Sequence, residues 1–229
     1  MKFHYTNLET CHQATGAVIV IDVIRAFTNA AYAFGRGARG IYPVSTVEEA
    51  FELKAAIPNS LVCGEVGGLP PEGFDFGNSP TQTNTLELSG RTIIQRTGAG
   101  TQGIGRSIHA GTLMAASLVV ANATVAHVRK LGINEVTFVL TGQSENGRGD
   151  EDLACGEYLQ ALLQDQQPDP EPFIARVLNS YDARLHLDPY FPEFPASDLD
   201  LCTQIDAFDF AMPVVKENGR PILRAVKPT

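Results

Sequence analysis

The chain has 229 residues, 44% hydrophobic and 19% charged, with a net charge of −9 at pH 7. That is the make-up of an ordinary globular protein with a sizeable core. A surface this acidic argues against nucleic acid and anionic membranes as partners, while a small anion remains open to a local pocket.

The chain alternates short apolar runs with helical stretches. Ala17 to Val23 reads as a buried strand and Arg25 to Phe34 as an alanine-rich helix. Ile41 to Val44 is a second strand. Ser45 and Glu48 form a capping box for a helix that runs to about Ala56. Leu61 to Gly64 is a third strand, followed by a Gly- and Pro-rich loop, Glu65 to Pro80, of a length that is usually functional. Arg91 to Thr97 is the next strand, with a helix from about Gln102. Ala115 to Val120 fits a strand and Val125 to Leu131 a helix. Glu135 to Leu140 is a strand running into the polar loop Thr141 to Asp150, and a helix then continues to about Leu163. Pro170 to His186 is expected to contain a helix. Pro189, Pro192 and Pro195 break the chain before a short helix at Ser197 to Ile205, and Asn218-Gly219 joins a terminal hairpin.

Strands alternating with helices predict a three-layer α/β fold: a largely parallel sheet, helices on both faces, and a C-terminal hairpin. No linker divides it, so residues 1–229 are expected to form a single domain. The four cysteines, Cys11, Cys63, Cys155 and Cys202, suggest neither zinc nor disulfides. No signal-peptide pattern or bilayer-spanning run is present, and a cytoplasmic setting is expected.

Ligands in such folds bind at the carboxyl ends of the strands. The first strand ends in Asp22-Val23-Ile24-Arg25. Asp22 fits a metal ligand or a nucleophile and Arg25 an anion clamp. An Asp22–Arg25 salt bridge capping the helix fits as well. The third strand leads through Glu65 to Asp75, Asn78 and Ser79, with Ser79 and Pro80 also reading as a helix start. Asp150-Glu151-Asp152 opens a later helix. Its acids satisfy the helix dipole, or hold Mg²⁺ through hard oxygen ligands.

Gly98-Ala99-Gly100-Thr101-Gln102-Gly103 spells the dinucleotide pattern G-x-G-x-x-G. No Asp or Glu occurs from Leu88 through Asn134, so the acid that would bind a ribose is missing. A nest of amides with Thr97 and Thr101, suited to one small anion, is what remains; a tight turn without ligand is the plainer reading. Walker, G-x-S-x-G and H-E-x-x-H motifs are absent. Arg148-Gly149-Asp150, an adhesion tripeptide by its letters, is read as chance.

The blocks "VIVIDVIRAFTNAAYAFGRGA", "VCGEVGG…GFDFGNSP", "TGAGTQG" and "TGQ…DEDLACGEYL", spanning about 18–163, resemble those of the 2-phosphosulfolactate phosphatase (ComB-like) family. The closing "FDFAMPVV" is similar too. The resemblance implies a Mg²⁺-dependent phosphatase that cleaves 2-phosphosulfolactate to sulfolactate and phosphate in coenzyme M biosynthesis. It marks Asp22, Arg25 and Glu65 as catalytic. It gives Asn78, Ser79, Thr97, Gly98, Gly100 and Thr101 to the substrate, and Asp22, Glu65, Glu151 and Asp152 to the metal. Two positions depart from the pattern: Val66 stands where the family usually has arginine, and Ala99 interrupts its Thr-rich turn. The expected partner is a small phosphorylated acid, with a homodimer as the assembly. The alternatives are a non-catalytic small-anion-binding protein on the same fold and a nucleotide-dependent oxidoreductase.

Overall fold

The computed structural model describes residues 1–142, 149–188 and 190–228. Its strands are β1 (Lys2–Asn7), β2 (Ala17–Ile21), β3 (Gly40–Val44), β4 (Ser60–Gly64), β5 (Thr92–Arg96), β6 (Thr112–Ala116), β7 (Glu135–Leu140), β8 (Met212–Glu217) and β9 (Arg220–Leu223). The helices are α1 (Ala26–Gly35), α2 (Val47–Ala56), α3 (Pro80–Thr83), α4 (Gly100–Arg106), α5 (Ala121–Lys130), α6 (Asp150–Leu163), α7 (Glu171–Asn179) and α8 (Ser197–Cys202).

The strands join in the order β1-β7-β2-β6-β8-β9-β3-β5-β4. β1, β7, β2 and β6 are parallel, as are β3, β5 and β4. The hairpin β8–β9 lies between these halves and pairs antiparallel with both. The terminal hairpin predicted from sequence is therefore the seam of the sheet. Its turn residues, Asn218 (φ 52°) and Gly219 (φ 78°), supply the two positive φ angles that a tight hairpin turn needs.

Side-chain alternation sorts the core into layers. On β2, Val18 and Val20 pack with Phe27, Ala30 and Ala31 of α1 and Ile104 of α4. Ile19 and Ile21 pack on the other face with Val125 of α5 and Ala154, Tyr158 and Leu159 of α6. In the other half of the sheet, Ile41 and Ile93 join the α1 layer, while Val62 and Ile94 pack on Ala50 and Leu53 of α2. α1 is buried from Ala26 to Phe34, Thr28 and Asn29 included, as expected for a helix covered on every side. β2 and β5 stand five places apart in the sheet, which would be roughly 24 Å in a flat one. Yet a Cβ on Gly100, just after β5, would lie 2.8 Å from Asp22 Oδ2 and 2.8 Å from Ala26 Cβ. The sheet bends around α1 and α4 and brings distant strand ends together.

Several boundaries differ from the sequence reading. The cap of α2 is Thr46, whose side chain accepts from Glu49 N at 3.1 Å; Glu49 in turn accepts from Ser45 N, so the box sits one residue later than Ser45–Glu48. The Ala115–Val120 run divides into the end of β6 and a 3₁₀ turn at Leu118–Val120. α4 starts at Gly100 and α5 at Ala121, earlier than expected, and β1 carries no clear sequence signal because its burial is patchy. Residues 143–148, most of the second polar loop and the Arg148 of the tripeptide, lie outside the described residues, as does Pro189. Among the described residues, no helix is long and apolar enough to cross a membrane. All four cysteines are buried and free.

Candidate active site

A cleft of about 370 Å³ opens at the carboxyl ends of the parallel strands. Asp22, Arg25, Glu65, Asn78, Gly98 and Ala99 line it, joined from the stretch between α7 and α8 by Asp182, His186 and Phe194. A larger hollow, about 560 Å³, lies by the amino end of β6 among His109, His127 and Lys216, and holds none of the sequence-predicted residues.

Asp22 follows a strand that is buried throughout. Its Oδ1 accepts from Ala26 N at 2.9 Å, satisfying one of the free amides at the start of α1. Burial, then the charge of Glu65 and that of Asp182, push its carboxyl up to about 6 against the pull of the Ala26 and Gly100 amides. Asp22 thus caps α1, but not through Arg25. The Arg25 guanidinium turns to Asp198 of α8, with Nη1 2.8 Å from Oδ2, and donates to the carbonyls of Glu193 and Gly68. It also stacks on Phe194, 4.7 Å from the ring centroid.

Glu65 binds the loops on either side of the cleft. Oε2 accepts from Gly68 N at 2.8 Å and Oε1 from Gly98 N. The amides of Gly98 and Gly100 in the glycine turn therefore already face Glu65 and Asp22. Thr97 and Thr101 satisfy one another: Thr97 N donates to Thr101 Oγ1 at 2.9 Å and Thr101 N to Thr97 Oγ1 at 3.0 Å. This clasp closes the strand-to-helix turn from within. Gln95 and Arg96, polar where an apolar strand was expected, also have structural partners: Gln95 Nε2 donates to Ala26 O and Arg96 Nη1 to Glu65 O.

Ser79 caps α3 by accepting from Gln82 N, and its hydroxyl donates to Asp198 Oδ1 at 2.6 Å. Asn78 is buried in the cleft wall, and among the described residues its Oδ1 has no partner. Asp75 is turned elsewhere, to Lys54 and Val62 N.

At the start of α6, Asp152 links two strand ends: Oδ1 accepts from Val23 N at 2.9 Å, and Oδ2 from Gly142 N at 2.9 Å and Thr141 Oγ1 at 3.2 Å. Its carboxyl is raised by burial and by the charges of Glu151 and Asp22. Glu151 is equally buried, and among the described residues its Oε2 has no hydrogen bond. Burial, then Asp182 and Asp22, push it up to about 7. Asp150, by contrast, pairs with Arg176 at the surface. Asp22, Glu65, Glu151 and Asp152 thus form one neighbourhood of acids, although among the described residues no group of three His, Cys, Asp or Glu side chains makes a ready cation cage.

The family model described as 2-phosphosulpholactate phosphatase matches residues 3–188. The chain belongs to that family. It is similar to a probable 2-phosphosulfolactate phosphatase of Bacillus subtilis, 34% identical over 209 residues and 91% of each chain. One from Thermotoga maritima is 30% identical over 214 residues, 90% of this chain and 91% of the relative. One from Carboxydothermus hydrogenoformans is 40% identical over 151 residues, 66% of this chain and 62% of the relative. Members bearing that name are phosphoric monoester hydrolases.

Asp182, His186, Phe194 and Asp198 complete the phosphatase-family cleft and were not singled out from the sequence. None ends a strand. They come from a proline-interrupted stretch whose path depends on packing against Arg25 and Gly68, which no local pattern encodes.

Proposed function

We propose that this chain hydrolyses a small phosphate monoester with Mg²⁺, and that 2-phosphosulfolactate, the substrate in its relatives' names, is the one it cleaves to sulfolactate and phosphate. The observation that carries the reading is the buried Glu151 Oε2, without a hydrogen-bond partner among the described residues, in the same neighbourhood as Asp22 and Asp152. Buried carboxylates repel one another unless a proton or a cation joins them, and the carboxyls of Asp22, Glu151 and Asp152, raised by burial and then by neighbouring charge, show that repulsion. Arg25 is already paired with Asp198 and does not balance them. Mg²⁺ fits such a donor set, since it takes hard oxygen ligands, needs only one or two carboxylates and retains its waters.

Glu151 and Asp22 would hold the ion, with Glu65 and Asp152 fixing the strand ends around them. When bound, Mg²⁺ supplies charge neutralisation for the transferring phosphoryl group. The chain's own groups do the positioning. Asn78 and Ala99, which line the cleft, would face the substrate oxygens, and Arg25 would fix the wall through Asp198 and Phe194. The test is phosphate release from a panel of phosphorylated small acids, 2-phosphosulfolactate included, with Mg²⁺ and with chelator. Release that requires the metal and is fastest with 2-phosphosulfolactate is expected; release from none of them ends the reading.

A further inference from the structure

His186 has the surroundings of a proton acceptor. It sits in the 3₁₀ turn Asp182–Leu187, is buried, and lines the same cleft as Asp22, Glu65 and Asn78. Phe194 meets its ring edge-on, with centroids 5.5 Å apart and planes at 88°. Nδ1 is 3.1 Å from the Pro195 carbonyl oxygen. A carbonyl only accepts, so Nδ1 must carry the proton, and the lone pair of the neutral ring is left on Nε2. No partner for Nε2 occurs among the described residues. The tautomer and the ring plane are therefore both set by groups that do no chemistry.

The surroundings also keep the ring neutral. Burial and then Arg25 hold its pKa below the ordinary histidine value, against the opposing pull of the Pro195 carbonyl and Asp198. Asp198 Oδ2 lies 3.9 Å from Nδ1 and is engaged by Arg25 at 2.8 Å, so it is not the group that orients the ring. Among the described residues, the other charged groups lining the cleft are Asp22, Glu65 and Asp182. The carboxylates of Asp22 and Glu65 already accept backbone amides. Among the described residues, His186 is the one imidazole on the cleft wall.

Resting on the phosphatase reading above, we propose that His186 is the catalytic base, with Nε2 taking a proton from the water that attacks phosphorus. As the water oxygen bonds to phosphorus, one of its protons moves to Nε2 and the ring becomes imidazolium. The bond between phosphorus and the ester oxygen breaks, and its electron pair leaves with the alcohol oxygen, which takes a proton from solvent water. The imidazolium then returns its proton to solvent, and no oxidant or co-reactant is needed.

The test compares wild type with His186→Asn and His186→Ala in the presence of Mg²⁺. Asparagine keeps a donor near the Nδ1 position for the Pro195 carbonyl and removes the base, so the fold and KM should hold while kcat falls about 100-fold or more. The loss should be as large with 4-nitrophenyl phosphate, whose leaving group needs no acid. In His186→Ala, added imidazoles should restore turnover at rates that rise with the pKa of the base, which a purely structural histidine would not produce. A His186→Asn kcat above about a tenth of wild type, or rescue that is flat across imidazoles, overturns the assignment while wild-type turnover leaves the phosphatase reading standing. Absence of turnover in wild type overturns both.

Discussion

Arg25 and Asp198 are 173 residues apart in sequence and form a buried ion pair at 2.8 Å, with side chains 5% and 0% exposed. Asp198 also accepts from Ser79 Oγ and Thr81 N, so one carboxylate ties the start of α1, the start of α3 and α8 together. Removing it leaves a guanidinium buried without a counter-charge. Asp198→Ala should therefore lower the unfolding free energy by about 3–5 kcal/mol. Urea denaturation reads this as a fall in midpoint at constant slope. A loss under about 1 kcal/mol would mean that Arg25 finds another partner or reaches solvent.

Gly100 carries the close approach of the two sheet halves. A methyl group there would stand 2.8 Å from both Asp22 Oδ2 and Ala26 Cβ, with the Phe27 ring at 3.2 Å. Helix propensity favours alanine over glycine by about 1 kcal/mol. Overpacking in a tight core costs about 1–3 kcal/mol, so the clash should win. Gly100→Ala should lower the melting temperature and, by displacing Asp22, reduce turnover more than stability. A variant at least as stable as wild type, with full activity, would refute the packing argument.

The parts of the fold and site that the sequence disclosed are those written locally. β2 announced itself through consecutive buried β-branched residues, and the hairpin through Asn218-Gly219. Asp22, Glu65 and Gly98 were visible because they follow strands, and parallel topology gathers strand ends. Three things were not local. The place of the hairpin between the two parallel halves depends on long-range pairing of β8 with β6 and of β9 with β3. The partner of Arg25 lies on a helix near the far end of the chain, so the nearer Asp22 looked equally suitable. Finally, the amides of the glycine turn looked available to a ligand, yet Gly98 N is met by Glu65, a residue 33 positions away whose approach depends on the pairing of β4 with β5.

The acid cluster makes stability depend on pH in a defined direction. Unfolded carboxyls titrate near pH 4, whereas Glu151 in the folded chain is pushed up to about 7 and Asp22 to about 6. Between about pH 4 and 7 the folded state binds more protons than the unfolded state, so these groups lose stability as pH rises. His186 and His127, whose pKa values are lowered, act in the opposite sense. Comparison with Glu151→Gln isolates the carboxyl. In chelator, the variant should gain on wild type as pH goes from about 5 to 7.5, by roughly 1.4 kcal/mol for each pH unit crossed below the folded pKa. A gap that is constant with pH would show that Glu151 titrates as an ordinary exposed acid.

If Mg²⁺ binds as proposed, the same side chain should decide the response to metal. Adding Mg²⁺ to the chelated wild type at pH 7.5 should raise its unfolding free energy by about 2.7 kcal/mol at a hundredfold excess over Kd, and by less near pH 5, where protons occupy the carboxyls. Glutamine at 151 has nearly the same shape, so it should relieve the buried charge of Glu151, whose Oε2 has no partner among the described residues, and stabilise the metal-free protein. It should also abolish most of the Mg²⁺ response and of turnover. The expected result is a variant more stable than wild type in chelator, less stable than wild type in Mg²⁺, and inactive, since charges held against stability are characteristic of sites rather than scaffolds. Calorimetric melts of both proteins with and without Mg²⁺ give all four values. A full Mg²⁺ shift in Glu151→Gln would place the ion elsewhere and remove Glu151 from the metal site.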